Sequence, residues 1–169
     1  SDDEFDLQHY YAHPEFYKNN FETFIPHLSI LMNCMYWDDR YPKIVTKTYL
    51  EKLFQKGTPK LTVIGDVTCD PDGSIECTHK GTEIEDPVFV YNPATATPNM
   101  GFKGDGILIM AVDILPSELP RESSQTFSDA LIDFIPELIQ TDFNASFEKM
   151  KLPYPFKRAM ILHKGQFVR

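Results

Sequence analysis

Between residues 28 and 67 the sequence spells a strand, a helix and a second strand in immediate succession, and that order leaves few folds open. Residues 28–35, Leu-Ser-Ile-Leu-Met-Asn-Cys-Met, form a short, nearly continuous apolar run, the pattern of a strand buried on both faces of a parallel sheet. Thr46 can cap a helix over 47–55 that lines up Leu50, Leu53 and Phe54, with Gly57 placed to end it. Leu61-Thr62-Val63-Ile64-Gly65-Asp66-Val67 is then β-branched and apolar. Parallel strands need a crossover, so this order within about 40 residues predicts a βαβ unit and an α/β fold.

The flanks extend that reading. Phe16, Tyr17, Phe21, Phe24 and Ile25 recur at helical spacing after Pro14, predicting an amphipathic helix over 14–25 that Pro26 ends. Residues 68–106 collect Gly, Pro, Thr and Asp, interrupted by a short strand over 88–91, and read as a long irregular excursion. A third buried strand is expected over 107–112. A long helix follows from Phe127 through Leu131, Phe134 and Leu138, with one face buried and a kink at Pro136. Beyond it a helical segment is expected around 147–150, then a break at Pro153-Tyr154-Pro155 and an apolar stretch over 159–162. The organisational break is expected in the loop 92–106, dividing the chain into 1–95 and 96–169.

Charge and composition narrow the partners. The 25 acidic residues outweigh 16 basic ones, for a net charge of −9, and no basic run is present to neutralise phosphates, so nucleic acid is a poor partner. Anionic membrane is disfavoured by the same balance, and apolar stretches such as 107–112 are far too short to cross a bilayer, so a soluble chain is expected. Ser1-Asp2-Asp3-Glu4-Phe5 has neither the basic nor the apolar region of a secretory signal. Cys34, Cys69 and Cys77 are an odd number without the density of a disulfide framework, which favours reduced thiols and an intracellular setting.

Each expected strand ends in a polar cluster: Asn33-Cys34-Met35-Tyr36-Trp37, then Asp66-Val67-Thr68-Cys69-Asp70, then Asp113. Ligands of open α/β sheets bind outside the carboxyl ends of the strands. Position alone leaves open whether these are ligand-binding or ordinary loop residues. No G-x-G-x-x-G, G-x-x-x-x-G-K-[ST] or G-x-S-x-G occurs, so the chain lacks a pyrophosphate cradle and a nucleophile elbow. What remains reads as the second half of a Rossmann-like sheet. Asp70–Glu76 departs from a calcium loop in ligand spacing, and Cys69, Cys77 and His79 match no standard zinc spacing, so no metal is expected. The five histidines are scattered and fit surface or capping roles.

Val112-Asp113-Ile114-Leu115-Pro116-Ser117-Glu118-Leu119-Pro120-Arg121-Glu122-Ser123-Ser124 resembles the V/I-D-x-L-P-x-x-L-P-R/I-E-A/S segment of lysine-ketoglutarate reductases and lysine-forming saccharopine dehydrogenases. Asn33–Trp37 resembles the family's N-x-x-Y-W, and Asp66–Asp70 with Gly73–Glu76 its D-x-S/T-x-D…G-S-I-E. His13–Tyr17 and Thr82–Pro87 are similar to the bifunctional aminoadipic semialdehyde synthases; alanine dehydrogenase and transhydrogenase are wider relatives. The resemblance implies a Rossmann-like dinucleotide domain whose chain returns through C-terminal helices to a substrate domain. It implies a reaction in which lysine condenses with 2-oxoglutarate and NADPH or NADH reduces the imine to saccharopine.

By position, it implies that Asn33, Cys34, Met35 and Tyr36 line the dinucleotide, that Asp66, Val67 and Thr68 approach the nicotinamide ribose, and that Asp113 and Leu115 lie near the ring. Asp113 is given a supporting role in catalysis, because the family's acid-base Lys and His have no match in this chain. The expected partner is the preceding part of the same enzyme, in a cytoplasmic setting for a bacterial source or a mitochondrial one for an animal, with a homo-oligomer left open. A stand-alone binding module that kept the sheet and lost the enzyme is the alternative. The part-of-an-enzyme reading is favoured because a half-sheet starting at residue 28 leaves an edge strand that proteins normally cover.

Overall fold

The computed structural model describes residues 5–168, and the chain divides into two compact units, Ser1–Leu115 and Pro116–Arg169. The first unit opens with helix α1 (Leu7–Ala12), capped by the Asp6 carboxylate, which accepts from the Gln8 and His9 N–H groups at 2.8 and 3.1 Å. The single helix expected over 14–25 is instead a series of 3-10 turns at Pro14–Phe16, Phe21–Thr23 and Ile25–His27. A tertiary tie competes with the helix. Asn19 accepts from the Phe21 N–H with its side-chain oxygen and donates to the Ile44 carbonyl, which fixes an interruption that local propensity alone would not.

Strand β1 (Ile30–Asn33), helix α2 (Lys47–Gln55) and strand β2 (Val63–Asp66) form the expected βαβ unit, and β1 and β2 pair in parallel with Asn33 opposite Asp66. Thr46 caps α2, taking the Tyr49 N–H at 3.2 Å while donating its own hydroxyl proton to Glu22 at 2.7 Å. Glu76 reaches the same helix start, accepting from the Lys47 N–H and from the Lys43 ammonium at 2.9 and 2.8 Å. Leu50 on α2 is fully buried in one cluster with Leu31, Ile64, Ile107 and Ile109. Burial of a leucine side chain contributes about 2 kcal/mol.

The rest of the sheet is β3 (Val88–Asn92), β4 (Thr97–Met100) and β5 (Ile107–Met110), in the order β1-β2-β5-β3-β4. β5 runs parallel to β2, whereas β3 is antiparallel to both β5 and β4, so the sheet is mixed, with three parallel strands and a hairpin beside them. The break expected near residue 95 therefore falls inside the hairpin. Pairing of β3 with β5 continues the sheet to Met110, and the first compact unit ends at Leu115.

The strand expected to be buried on both faces is covered on one. Leu31 and Asn33 face the core, while Ile30 and Met32 are 60% and 56% exposed on the other side. Gly65 on β2 lies on that outer face. A Cβ there would sit 2.5 Å from the Met32 sulfur, so the methionine lies flat across the glycine.

The second unit holds α3 (Pro120–Ile132), α4 (Ile135–Gln140), α5 (Tyr154–Ala159) and a small hairpin of β6 (Leu162–His163) and β7 (Gln166–Phe167). The expected long helix is interrupted at Asp133–Phe134, because Pro136 near the start of α4 lacks the N–H that a continuous helix would use. No residue of α3 or α4 is buried, and Phe127 is 68% exposed, so the face expected to be covered stands open. The segment around 147–150 forms a turn. Pro153-Tyr154-Pro155 starts α5 instead of breaking a helix, since first-turn prolines forfeit no hydrogen bond.

Candidate functional site

Because β1, β2 and β5 are parallel neighbours, their carboxyl ends share one edge of the sheet. Strand alternation turns Asn33 and Asp66 to the same side as Leu31 and Ile64, and both are buried, at 3% and 0% exposure. The Asn33 amide donates to Asp66 Oδ1 at 2.8 Å, to Ser74 Oγ at 2.7 Å and to Thr68 Oγ1 at 3.2 Å. Thr68 donates to Asp66 Oδ1 at 2.7 Å, and Thr78 donates to Asp66 Oδ2 at 2.6 Å. Asp66 thus spends both oxygens on the protein. It ties the ends of β1 and β2 to the loop 74–78 and has no exposed surface. Asn33 Oδ1 is buried without a hydrogen-bond partner among the described residues, an acceptor held in reserve at this edge.

Above this layer the edge is open. Cys34, Met35 and Tyr36 are exposed beyond β1, and Met35 and Tyr36 join Trp37, Tyr10, Tyr11 and Tyr41 around a cleft of about 500 Å³. The Trp37 indole N–H is fixed by the carbonyls of Tyr41 and Pro42 at 3.1 and 3.2 Å. Val67 is partly exposed, and its N–H continues the pairing to the Asn33 carbonyl at 2.9 Å.

The turns after β2 and β5 meet over Gly81. A Cβ on Gly81 would stand 3.8 Å from Asp113 Cβ and 4.0 Å from the Cys69 carbonyl. Thr82 clamps the end of β5, its N–H donating to the Ala111 carbonyl and its carbonyl accepting from the Asp113 N–H at 2.8 and 3.1 Å. Asp113 is exposed, and its Oδ1 accepts from the Ile114 N–H at 2.8 Å. Leu115 is half-buried. Burial, then the nearby Asp113 carboxylate, push the Cys69 thiol above its ordinary pKa, so it stays protonated. Two residues of these turns have left-handed backbone: Cys69 at φ +48° and Ile114 at φ +57°. For a β-branched side chain that conformation costs on the order of 1–3 kcal/mol.

The residues expected to bind a ligand thus fall into two layers. Asn33 and Asp66 form a buried brace with Thr68, while Cys34, Met35, Tyr36, Val67 and Asp113 are open to solvent and Leu115 is half-open. Sequence reasoning gave no site role to Thr78, Gly81 or Thr82, which sit on the excursion between β2 and β3 and join the site through long-range contacts; Thr82 opens a segment noted only for its resemblance.

A parallel half-sheet with polar groups and small residues at its carboxyl edge defines a dehydrogenase-type, Rossmann-like α/β domain. The chain matches the family described as alanine dehydrogenase/PNT, C-terminal domain, over residues 17–169, and it belongs to that family. It is similar to the α-aminoadipic semialdehyde synthase of Arabidopsis thaliana, with 43% identity over 163 residues, covering 96% of this chain and 15% of the relative. The mitochondrial synthase of Bos taurus is 30% identical, over 98% of this chain and 19% of the relative. The NAD-linked, lysine-forming saccharopine dehydrogenase of Yarrowia lipolytica is 34% identical, over 67% of this chain and 28% of the relative. The chain therefore spans less than a third of the length of these relatives.

Proposed function

We propose that this chain supplies the nicotinamide-side edge of a lysine-ketoglutarate reductase, which joins lysine to 2-oxoglutarate and reduces the product to saccharopine with NADPH or NADH. The observation that carries this reading is the convergence of the carboxyl ends of β1, β2 and β5, with Asp113 open and Asn33 and Asp66 locked behind it. The relatives named above, synthases and saccharopine dehydrogenases, support the choice of reaction.

The arrangement fits the nicotinamide half of a dinucleotide better than its diphosphate. It offers a buried acceptor, an open carboxylate and apolar walls, and the sequence has no glycine-rich turn to cradle phosphates. The dinucleotide, when bound, supplies the hydride. The brace of Asn33, Asp66, Thr68 and Thr78 holds the strand ends in register, so the groups above it keep their positions through turnover. Met35, Tyr36 and Val67 exclude water along the dinucleotide, and the Asp113 carboxylate orients the ring side of the site.

Proton transfer to substrate falls to residues outside this chain, on a preceding part of the same enzyme. The exposed outer side of the edge strand β1, with Ile30 and Met32 open to solvent, fits that partner and argues against a module that works alone. The second unit, from Pro116 onward, returns to the substrate domain in this reading. The compartment follows the enzyme, as with the mitochondrial bovine relative.

The test uses the full-length enzyme. Asp113→Ala is expected to lower saccharopine-forming turnover by about tenfold or more while leaving the circular dichroism spectrum unchanged. Unchanged kinetics would remove Asp113 from the site.

A further inference from the structure

Two of the five histidines are neighbours. His9 lies on α1 and His13 is the residue that closes it, four positions on, and both are exposed. Their ring centroids stand 5.2 Å apart. Each ring spends its Nδ1 on a partner: His9 Nδ1 lies 3.0 Å from the Tyr17 hydroxyl oxygen, and His13 Nδ1 lies 3.2 Å from Glu15 Oε1. The Tyr17 hydroxyl donates its own proton to the Asp6 carbonyl at 3.3 Å, and a carboxylate has none to give. Neutral His9 and His13 are therefore both held as the tautomer with the proton on Nδ1, which leaves a lone pair on each Nε2. Neither Nε2 has a hydrogen-bond partner among the described residues.

We infer that His9 and His13 form a two-histidine chelate for a divalent transition-metal ion of the kind that prefers imidazole, such as zinc. Two imidazoles bound tetrahedrally through one nitrogen each, at about 2.0–2.1 Å, place their ring centroids roughly 5 Å apart, which is the spacing of this pair. Tyr17 and Glu15 act as outer partners that fix ring orientation and tautomer, the carboxylate also raising the basicity of His13. The Tyr17 ring is itself anchored edge-on against Phe5 and Tyr10, at 5.7 and 5.0 Å, so His9 is oriented by a fixed partner. Among the described residues no group of three or more ligands could hold a metal, so water completes the coordination shell. Bound there, the ion ties the last turn of α1 to the residue that ends it. It thereby stiffens a helix whose Leu7, Tyr10 and Tyr11 wall the aromatic cleft. The site does not depend on the proposed dinucleotide reading.

Titration of zinc chloride into the full-length enzyme, followed by calorimetry, tests this with His9→Gln, His13→Gln and Tyr17→Phe beside wild type. Glutamine keeps the helix while removing the imidazole. Either histidine variant is expected to bind one zinc ion fewer per chain, because a chelate cut at one arm leaves a single ligand. Tyr17→Phe keeps both ligands but frees the His9 ring to turn, and is expected to raise the Kd for that zinc ion about tenfold. Amide exchange over Leu7–Ala12 is expected to slow when zinc is added to wild type and to stay unchanged in the two histidine variants. Exchange of the zinc-free variants, compared with zinc-free wild type, separates loss of a ligand from loss of the helix. Equal zinc stoichiometry in wild type and both histidine variants would overturn the chelate, as would loss in only one of the two, or exchange across α1 that zinc does not alter. Saccharopine formation by the same samples reports on the functional reading alone.

Discussion

Asp66 takes hydrogen bonds from Asn33, Thr68 and Thr78 in a place that no solvent reaches, and that geometry sets what its replacement costs. Asp66→Ala takes the acceptor from the Thr68 and Thr78 hydroxyls and one of the acceptors of the Asn33 amide, and is expected to lower stability by about 2–4 kcal/mol, with Thr78→Val costing about 1 kcal/mol. Urea denaturation checks both. A loss below about 1 kcal/mol for Asp66→Ala would return this carboxylate to the ligand-facing group. The sequence pointed to Asn33 and Asp66 as polar residues at strand ends, and they are there. Their inward orientation was also encoded, since Asp66 follows Ile64, and Asn33 follows Leu31, at the two-residue period of a strand. Taking β1 to be buried on both faces hid that signal. Once one face is known to be bare, parity assigns Asn33 to the core.

Elements whose boundaries are set by local chemistry were legible, and those set by distant contacts were not. α2 begins after Thr46 and ends before Gly57, as its capping residues require, and its expected bounds, 47–55, are those observed. β4 escaped notice because Thr97-Pro98-Asn99-Met100 has the composition of a loop. It lies at the end of the strand order, where a proline can sit without removing a bond from the sheet interior. At the start of β5, Gly106 has φ +147°, and a Cβ there would fall 1.9 Å from the Tyr91 carbonyl oxygen on β3. Gly106→Ala must therefore separate β3 from β5 and is expected to cost about 3 kcal/mol or more. Gly57→Ala, also at positive φ but with nothing within 4 Å, is the comparison and is expected to cost about 1 kcal/mol. Matching thermal denaturation midpoints for the two variants would show that β3 and β5 can part without penalty.

Across the molecule, burial is uneven. The core cluster runs from Ile25 to Ala111 within the first unit, whereas Met150 is the one buried hydrophobic side chain found in the second among the described residues. Amide exchange of this chain is accordingly expected to be slow across β2, β5 and β3 and fast across α3, α4 and α5. Mass spectrometry of deuterated fragments would reveal it, and equal protection over Ile107–Met110 and Pro120–Ile132 would contradict it. Amphipathic spacing in α3 told which residues form a stripe and was silent on whether anything lies against it, because a covering partner leaves no mark on the sequence of the helix it covers.

The strand order carries one more consequence, for the time at which this sheet can exist. β5 is the last of the five strands to leave the ribosome, yet it occupies the middle position, between β2 and β3. Until residues 107–110 emerge, the parallel pair and the hairpin are separate pieces, each with an open edge. Those four residues act as a keystone, and a chain stopped short of them holds two half-sheets with nothing to join them.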